Sequence, residues 1–433
     1  MVEKIGFVGL GGHILRQNEV FRALMKELGT GDYEFIGLEE GFKAFETGRV
    51  YPLTLESFLN SNQKVTAGLS FGFSRYSLTF PETIVPVPKK IEKGHEFVEA
   101  ADLDWLVGCG GDDHGRQLKI LGDYLKERGS KCKVLVANKT MDGDLGGIDG
   151  ERVNGYVAPF TDTTNGFVAA VSLLANNMLQ AYHDAWTNGV PVIVTHFGED
   201  TNFVAFGAGW YGWADLVYAG ELDGRPAWKL NEMADDIRRV QSENRKKYGR
   251  PIAMIVIPEG SRIEGVNHIS ENLIDPHRHK KKHPEVLAAE VKEKLATYHN
   301  LSAHTMTFTY ELRTFTQPNR PYSLRKDREL AIETGKVLAR AIREGQDDLE
   351  STIWVRGGNV EVGLAPIDLV TRKRFTKYSK FPWYDWETKK VRPEFGRYYD
   401  PLFNGGRVEL EKLLPRKPQV VNVYSQQMAS VGK

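Results

Sequence analysis

Residues 105–115 read Trp-Leu-Val-Gly-Cys-Gly-Gly-Asp-Asp-His-Gly, an apolar run followed by glycines and two carboxylates. The apolar run predicts a buried strand. The glycines let the backbone approach a ligand, and a helix that begins there points its free N–H groups at an anion. A lone carboxylate would repel an anion, so we predict that Asp112 binds Mg²⁺, which prefers carboxylate, water and phosphate oxygens. The alternative is a tight turn in which the Asp caps a helix.

Short apolar runs alternate with amphipathic stretches along the whole chain. Strands are predicted near residues 5–9, 134–136, 192–194 and 252–257, and helices near 167–187 and 327–343. Strands separated by helices indicate an α/β protein with parallel sheets and helices on both faces. Ligands of such folds bind at the carboxyl ends of the strands.

Length and charge exclude several classes of protein. A chain of 433 residues suggests two or three domains. Its formal net charge is zero, so we expect neither a nucleic-acid partner nor a membrane partner. No apolar run reaches the ~20 residues of a membrane span, and no signal-peptide core follows the N-terminus. Cys109 and Cys132 are too few for a disulfide scaffold, which favours a reducing cytoplasm.

A second polar cluster follows the predicted strand at 134–136. It reads Asn138-Lys139-Thr140-Met141-Asp142-Gly143-Asp144. One carboxylate can remove a proton from a hydroxyl, while the lysine neutralises phosphate oxygens and the threonine orients them. Alone, this stretch is equally typical of a turn. Two such clusters at successive strand ends face one crevice, which strengthens the interpretation as a site.

These clusters resemble conserved segments of the phosphofructokinase superfamily. Gly110-Gly111-Asp112 is similar to its magnesium and phosphate loop, and residues 140–144 resemble its Thr-Ile-Asp-Asn-Asp catalytic loop, in which the first Asp is the base. Residues 67–75, which end in Arg75, resemble a segment whose Arg faces the donor. Gly11-Gly12 lie in the first glycine loop, and Pro258-Glu259-Gly260 resembles a strand end whose Glu touches the sugar.

The resemblance implies two doubly wound, mostly parallel sheets with the active site in the cleft between them. It implies a donor-binding domain from residues 1–153 plus about 316–345, an acceptor-binding domain at 154–315, and a C-terminal segment, 346–433, packed on the core. We expect a homodimer or a homotetramer.

Two residues point to pyrophosphate as the donor within this family. Glycine after Gly-Gly-Asp leaves room for the α-phosphate of ATP, whereas Asp113 fills that room with a negative charge. A lysine before the catalytic Thr accompanies the pyrophosphate-using members, and Lys139 lies there. The implied catalytic residues are Lys139, Thr140, Asp142 and Asp144; the donor-binding residues are Gly11, Gly12, Arg75, Gly110, Gly111 and Asp113; the Mg²⁺ ligand is Asp112.

The acceptor pocket departs from the family pattern. Phe197-Gly198-Glu199 replaces Met-Gly-Arg, residues 188–191 lack an arginine that reaches the substrate phosphate, and residues 313–319 replace a Gly-His-x-Gln-Arg-Gly-Gly stretch. Fructose 6-phosphate is the default acceptor, and a different phosphosugar, a free sugar or a polyol is the alternative. A third possibility is an ordinary pocket in which Glu199 pairs with a basic residue. The implied acceptor-binding residues are Gly198, Glu199, Glu259, Arg313 and Arg320.

Three further alternatives stay open. Arg16 replaces a glycine of the first loop and either contacts phosphate or fills space. The start Lys4-Ile5-Gly6-Phe7-Val8-Gly9-Leu10-Gly11 resembles the beginning of a dinucleotide-binding fingerprint, although the last glycine of that pattern would fall at Ile14. A catalytically silent relative would explain the altered acceptor motifs, but it has no chemical need for the base at Asp142.

Overall fold

The computed structural model describes residues 2–9, 11, 16–58, 69, 71–72, 74, 76–80, 85–197, 202–220, 226–274, 280–308, 325–374, 382–403 and 406–410. The strands are β1 (Glu3–Gly9), β2 (Tyr33–Leu38), β3 (Val50–Leu53), β4 (Trp105–Gly110), β5 (Lys133–Thr140), β6 (Arg152–Val153), β7 (Tyr156–Val157), β8 (Asn165–Gly166), β9 (Val192–His196), β10 (Leu216–Val217), β11 (Met254–Pro258), β12 (Ile269–Ile274), β13 (Lys280–Lys282), β14 (His304–Phe308), β15 (Leu349–Arg356), β16 (Asn359–Pro366), β17 (Tyr384–Asp385) and β18 (Lys390–Val391). The helices are α1 (Gln17–Leu28), α2 (Ala44–Thr47), α3 (Pro88–Ala100), α4 (Asp112–Glu127), α5 (Phe167–Asn188), α6 (Phe203–Tyr211), α7 (Leu230–Tyr248), α8 (Pro284–His299), α9 (Arg325–Arg343), α10 (Ile367–Val370) and α11 (Pro393–Tyr399).

The first sheet has the strand order β16-β15-β5-β4-β1-β2-β3, and β8 extends the end of β5. Its central strands are parallel, whereas the edge strands β3 and β16 pair antiparallel with their neighbours. Alternate side chains of these strands enter two different cores, as the two-residue period of a strand requires. Phe7 and Val107 pack with α1 and α9, whereas Val8 and Leu106 pack with α3 and α4. Both faces are therefore covered, which is why the strands read as continuous apolar runs.

The second sheet has the order β10-β11-β9-β14 and is entirely parallel. Val194 and Val256 face a core formed with α5 and α6, and Ile193 and Ile255 face α7 and α8. The predicted class, an α/β fold with mostly parallel sheets, is confirmed. The helix predicted near 167–187 is α5 at Phe167–Asn188, and the helix predicted near 327–343 is α9 at Arg325–Arg343.

The strand order of the first sheet reverses at β1, because β2 lies on one side of it and β4 on the other. Connections from such neighbouring strands diverge to opposite faces and leave a crevice at their carboxyl ends. Gly11 follows β1, and Gly110 and Gly111 lie at the end of β4. The glycine turns singled out in the sequence therefore border the crevice where a doubly wound fold binds its ligand.

The two sheets are joined at the end of β5. Lys139 and Thr140 of β5 pair with Asn165 and Gly166 of β8, and the chain then continues into α5, which covers the second sheet. Later in the chain, β15 and β16 extend the first sheet, whereas residues 382–403 pack on the core of the second. The division into a donor domain, an acceptor domain and a C-terminal segment remains a prediction. None of the helices in the described ranges has both the length and the hydropathy of a bilayer span.

Candidate active site

Gly11 brings the first loop close to two basic side chains. Its backbone has φ +76°, a left-handed conformation that suits glycine. A Cβ atom at this position would lie 3.0 Å from Cε1 of His114 and 3.6 Å from Nζ of Lys139. The glycine therefore allows the loop after β1 to approach both the start of α4 and the end of β5. The loop after β1, His114 and Lys139 therefore lie together beside β1, where the strand order of the first sheet reverses.

The N-terminus of α4 carries two adjacent carboxylates and one arginine. Gly111 is the N-cap, and Asp112 and Asp113 lie in the first turn, where the helix dipole favours negative charge. Nη2 of Arg116 donates to Oδ2 of Asp112 at 2.7 Å and to Oδ1 of Asp113 at 2.9 Å. Burial tends to raise the pKa of Asp113, but Arg116, His114 and Lys373 together lower it below the usual value. Asp113 therefore remains a carboxylate.

The end of β5 holds the predicted base in a fixed orientation. Oγ1 of Thr140 donates to Oδ2 of Asp142 at 3.1 Å and accepts from the N–H of Asp142 at 3.2 Å. Lys139 is 5% exposed. The predicted catalytic residues Lys139, Thr140 and Asp142 thus lie together at this strand end. They are close to Gly111, where a Cβ would lie 3.5 Å from the carbonyl oxygen of Lys139.

Asp144 is an acidic group in a crowded electrostatic environment. Burial and the charges of Asp112 and Asp142 raise its pKa well above the usual value. Burial and the charge of Asp113 also raise the pKa of Asp112, while Lys373 and Arg116 act to lower it. Three carboxylates in mutual repulsion need cations, and Lys373, which sequence reasoning missed, supplies one of them.

The same carboxylates fit a particular kind of metal site. Across the described ranges, no set of three or more His, Cys, Asp and Glu side chains is placed to form a metal cage alone. Mg²⁺, however, commonly takes one or two carboxylates and completes its shell with waters and phosphate oxygens. Oδ1 of Asp144 is buried and has no hydrogen-bond partner among the described residues. Asp112 together with this oxygen suits that ligand set.

The carboxyl ends of the second sheet approach the predicted catalytic loop, residues 140–144. Glu259, just after β11, donates its N–H to the carbonyl oxygen of His196 at 2.8 Å. A Cβ on Gly220 would lie 3.2 Å from Oδ1 of Asn202 and from the carbonyl carbon of Gly260. Phe203 follows Asn202 in the chain, and its Cβ lies 3.6 Å from the position that a Cβ on Gly143 would occupy. The strand end that carries Glu259 is thus linked, through Gly220 and the start of α6, to the loop that carries the predicted base.

Arg16 forms ion pairs with two buried carboxylates. Its Nε donates to Oδ2 of Asp327 at 3.1 Å, and its Nη1 donates to Oε1 of Glu19 at 3.1 Å. Asp327 also accepts the N–H of Gly166 at 3.3 Å, so this buried cluster braces α1, α9 and the start of α5. Of the two possibilities left open by the sequence, the bracing role has the structural support.

Several predicted site residues lie outside the described residues, namely Gly12, Arg75, Gly198, Glu199, Arg313 and Arg320. Among the described ones, Arg116 was missed although its spacing from Asp112 and Asp113 is that of one helical turn. Lys373 and Arg374 were missed because nothing in the local sequence links them to residues 142–144. Only the folded chain brings these segments together.

The fold and the crevice define a doubly wound α/β protein with an acidic, glycine-lined site at its strand ends. A family model described as Phosphofructokinase matches residues 4–316. The chain belongs to the phosphofructokinase family, which confirms the resemblance seen in the sequence.

Individual relatives are distant. The ATP-dependent 6-phosphofructokinase of Propionibacterium freudenreichii subsp. shermanii is 25% identical over 271 residues, which are 61% of this chain. The chain spans only 63% of the length of that relative. The pyrophosphate–fructose 6-phosphate 1-phosphotransferase subunit beta 2 of Arabidopsis thaliana is 24% identical over 180 residues, 41% of this chain and 29% of that protein.

Solved structures agree over nearly the whole chain. A pyrophosphate-dependent phosphofructokinase from Nitrosospira multiformis has a TM-score of 0.72 at 16% identity and covers 96% of this chain and 95% of its own. One from Marinobacter aquaeolei has a TM-score of 0.68 at 17% identity, with 97% and 98% covered. At these identities the likeness shows the fold alone.

Proposed function

We propose that this protein transfers a phosphoryl group from Mg²⁺-bound pyrophosphate to a hydroxyl of a sugar or sugar phosphate. The observation that carries the proposal is the carboxylate of Asp113 in the first turn of α4, held by Arg116 at 2.9 Å beside Asp112. In the family resemblance, this is the position where glycine makes room for the α-phosphate of ATP. A fixed negative charge there opposes a nucleotide but leaves space for the shorter pyrophosphate.

The names of relatives point in both directions. The Propionibacterium relative is named for ATP, whereas the Arabidopsis relative is named for pyrophosphate. The donor assignment therefore rests on Asp113 and Lys139 of this chain. Lys139 supports it because a buried ammonium group close to Gly11 suits binding of a compact, highly charged donor.

Asp142 acts as the general base in this proposal. Thr140 holds one oxygen of the carboxylate through a hydrogen bond of 3.1 Å, which limits its rotation. The acceptor hydroxyl gives its proton to Asp142 as its oxygen attacks phosphorus, and the bond to the leaving phosphate breaks. Lys139 stabilises the negative charge that develops on the phosphoryl oxygens.

Asp112, with Asp144 beside it, would hold Mg²⁺. A Mg²⁺ ion held there would supply positive charge to the phosphate oxygens. The residues themselves supply the placement: Gly110 and Gly111 keep the backbone close to the phosphates, and the N-terminus of α4 directs its free N–H groups at them.

Fructose 6-phosphate is the default acceptor, with Glu259 as the residue expected to contact the sugar. A phosphate dianion needs arginine or lysine donors. At the positions where the family pattern has residues that contact the sugar phosphate, this sequence has Glu199, Val190 and Thr314. A free sugar or polyol is therefore the alternative acceptor, and Glu199 would accept a hydrogen bond from one of its hydroxyls. A homodimer or homotetramer in the cytoplasm completes the proposal.

The acceptor screen tests this function. Purified protein is incubated with magnesium pyrophosphate and a panel of phosphosugars, free sugars and polyols, and phosphorylated product is measured. We expect turnover with at least one acceptor, and we expect Glu199→Arg to favour fructose 6-phosphate over a neutral acceptor. Binding of magnesium pyrophosphate without turnover of any acceptor would instead indicate a silent relative. Efficient wild-type use of fructose 6-phosphate that Glu199→Arg damages would show an ordinary pocket.

A further inference from the structure

A late segment of the chain is fastened to the catalytic loop. After α10, the carbonyl oxygens of Val370 and Arg372 accept the N–H of Gly146 at 3.0 and 2.9 Å, and the N–H of Arg374 donates to the carbonyl oxygen of Asp144 at 2.6 Å. Lys373 forms an antiparallel bridge with Leu145 between these bonds. The backbone of Lys373 is therefore held on both sides against the loop that follows β5.

Arg374, the residue after Lys373, anchors this segment in the protein interior. Arg374 is 1% exposed, and its Nε donates to Oδ1 of Asp149 at 3.0 Å. Its Nη1 donates to the carbonyl oxygen of Asp162 at 2.8 Å, and its guanidinium lies 4.7 Å from the ring centroid of Phe203. Such a network leaves the neighbouring backbone little freedom to move, which is the preorganisation that a binding residue requires.

At the bridge residue Lys373 the side chain is expected on the side opposite to its neighbours Arg372 and Arg374, as in a strand. Arg374 lies in the buried network. Arg372 forms an ion pair with Glu151 at 2.7 Å, in which both side chains are partly exposed. The electrostatic influence of Lys373 reaches Asp112, Asp113 and Asp144. Of the three, Lys373 is the one whose charge acts on the acidic crevice.

We propose that Lys373 is a donor-binding residue whose ammonium group contacts the phosphate oxygens of the bound donor. This inference rests on the proposed function, because it deepens the description of the same donor site. Four carboxylates border the crevice, at positions 112, 113, 142 and 144, and a phosphate donor adds further negative charge. Lys139 approaches from the end of β5 and Lys373 from the late segment, so the donor is held between two ammonium groups.

The test measures binding rather than turnover. Wild type, Lys373→Met, Lys373→Arg and Arg372→Met are titrated calorimetrically with magnesium pyrophosphate and, in parallel, with magnesium ATP. Arg372→Met is the matched control, because it removes a neighbouring cation that faces Glu151. We expect Lys373→Met to weaken binding of magnesium pyrophosphate by at least about tenfold, as for loss of a charged hydrogen bond. Lys373→Arg should retain most of the affinity, and Arg372→Met should bind like wild type.

The outcomes separate this inference from the donor assignment. Lys373→Met protein that binds pyrophosphate as tightly as wild type overturns the role of Lys373, as does an equal loss in Arg372→Met. Wild-type protein that binds only magnesium ATP overturns the assignment of pyrophosphate as the donor. The role of Lys373 is then tested by comparing the affinities of wild type, Lys373→Met and Arg372→Met for magnesium ATP. Wild type that binds neither compound overturns both. Lys373→Gln, a second neutral variant, replaces Lys373→Met if the latter does not fold.

Discussion

The backbone N–H of Arg374 donates a hydrogen bond of 2.6 Å to the carbonyl oxygen of Asp144. This bond joins the loop that carries the predicted catalytic carboxylates to a segment about 230 residues further along the chain. The side chain of Arg374 extends the connection to Asp149 and to Phe203 at the start of α6. The predicted catalytic loop is therefore stabilised by a residue that belongs to neither of the glycine-rich motifs.

Replacing Arg374 should destabilise the protein. Arg374→Met removes a buried cation, takes from Asp149 the guanidinium that donates to it, and leaves the carbonyl oxygen of Asp162 with the hydroxyl of Tyr399. We expect a loss of about 3 kcal/mol in the free energy of unfolding, the lower end for a broken buried pair because Asp149 is partly exposed. Urea unfolding measures it. Arg372→Met breaks an exposed pair and should cost under about 1 kcal/mol; equal losses would contradict the anchoring role.

Removing the base should affect turnover and leave folding intact. If Asp142 accepts the acceptor proton, Asp142→Asn lowers kcat by ~10²–10⁴-fold, the usual contribution of a general base. The midpoint of thermal unfolding should change little, since the amide can still accept the hydrogen bond of Thr140. Asp184→Asn, at an exposed position on α5, is the control. Near-normal turnover in Asp142→Asn would remove this residue from the role.

Replacing Asp113 should change which phosphoryl donor the protein uses. Asp113→Gly removes both the volume and the charge that oppose the α-phosphate, so we expect measurable use of ATP, with a companion change at Lys139 if needed. Asp113→Asn keeps the volume and removes the charge, which separates the two causes. Rates with each donor are compared at equal concentration. If Asp113→Gly, with or without the Lys139 change, gains no ATP activity, then Asp113 does not select the donor.

The sequence predicts the parts of this fold that depend on local pattern. Strands such as β4 are continuous apolar runs because both faces of the sheet are covered, and the glycines at 110 and 111 follow directly at the strand end. The sequence could not predict that β15 and β16 extend the first sheet, because that pairing joins distant segments and depends on tertiary packing. For the same reason Lys373 and Arg374 carried no local signal. Arg16 was ambiguous until its buried partners, Asp327 and Glu19, were visible.

A buried histidine should make stability depend on pH. Burial lowers the pKa of His196 from 6.5 to about 4, and its Nδ1–H donates to the carbonyl oxygen of Phe197. The unfolded chain therefore takes up a proton at a higher pH than the folded protein does. The corresponding stability is present above pH 6.5 and is lost as the pH falls towards 4; it amounts to about 3 kcal/mol.

Two variants isolate this effect. His196→Gln cannot gain the proton in either state, so its free energy of unfolding should fall less steeply than that of wild type over this pH range. His183→Gln, at an exposed position on α5, should follow the wild-type curve. Urea unfolding at a series of pH values gives the three curves. Parallel curves for wild type and His196→Gln would show that His196 titrates normally in the folded protein.

The most direct measurement compares donors in the wild-type protein. Magnesium pyrophosphate and magnesium ATP are supplied at equal concentration with the best acceptor from the screen, and phosphorus NMR follows the phosphorylated product and the released phosphate or ADP. We predict product formation with pyrophosphate, one phosphate released for each product molecule, and little or none with ATP. Preferential use of ATP would contradict the reading of Asp113 and Lys139 and with it the proposed donor.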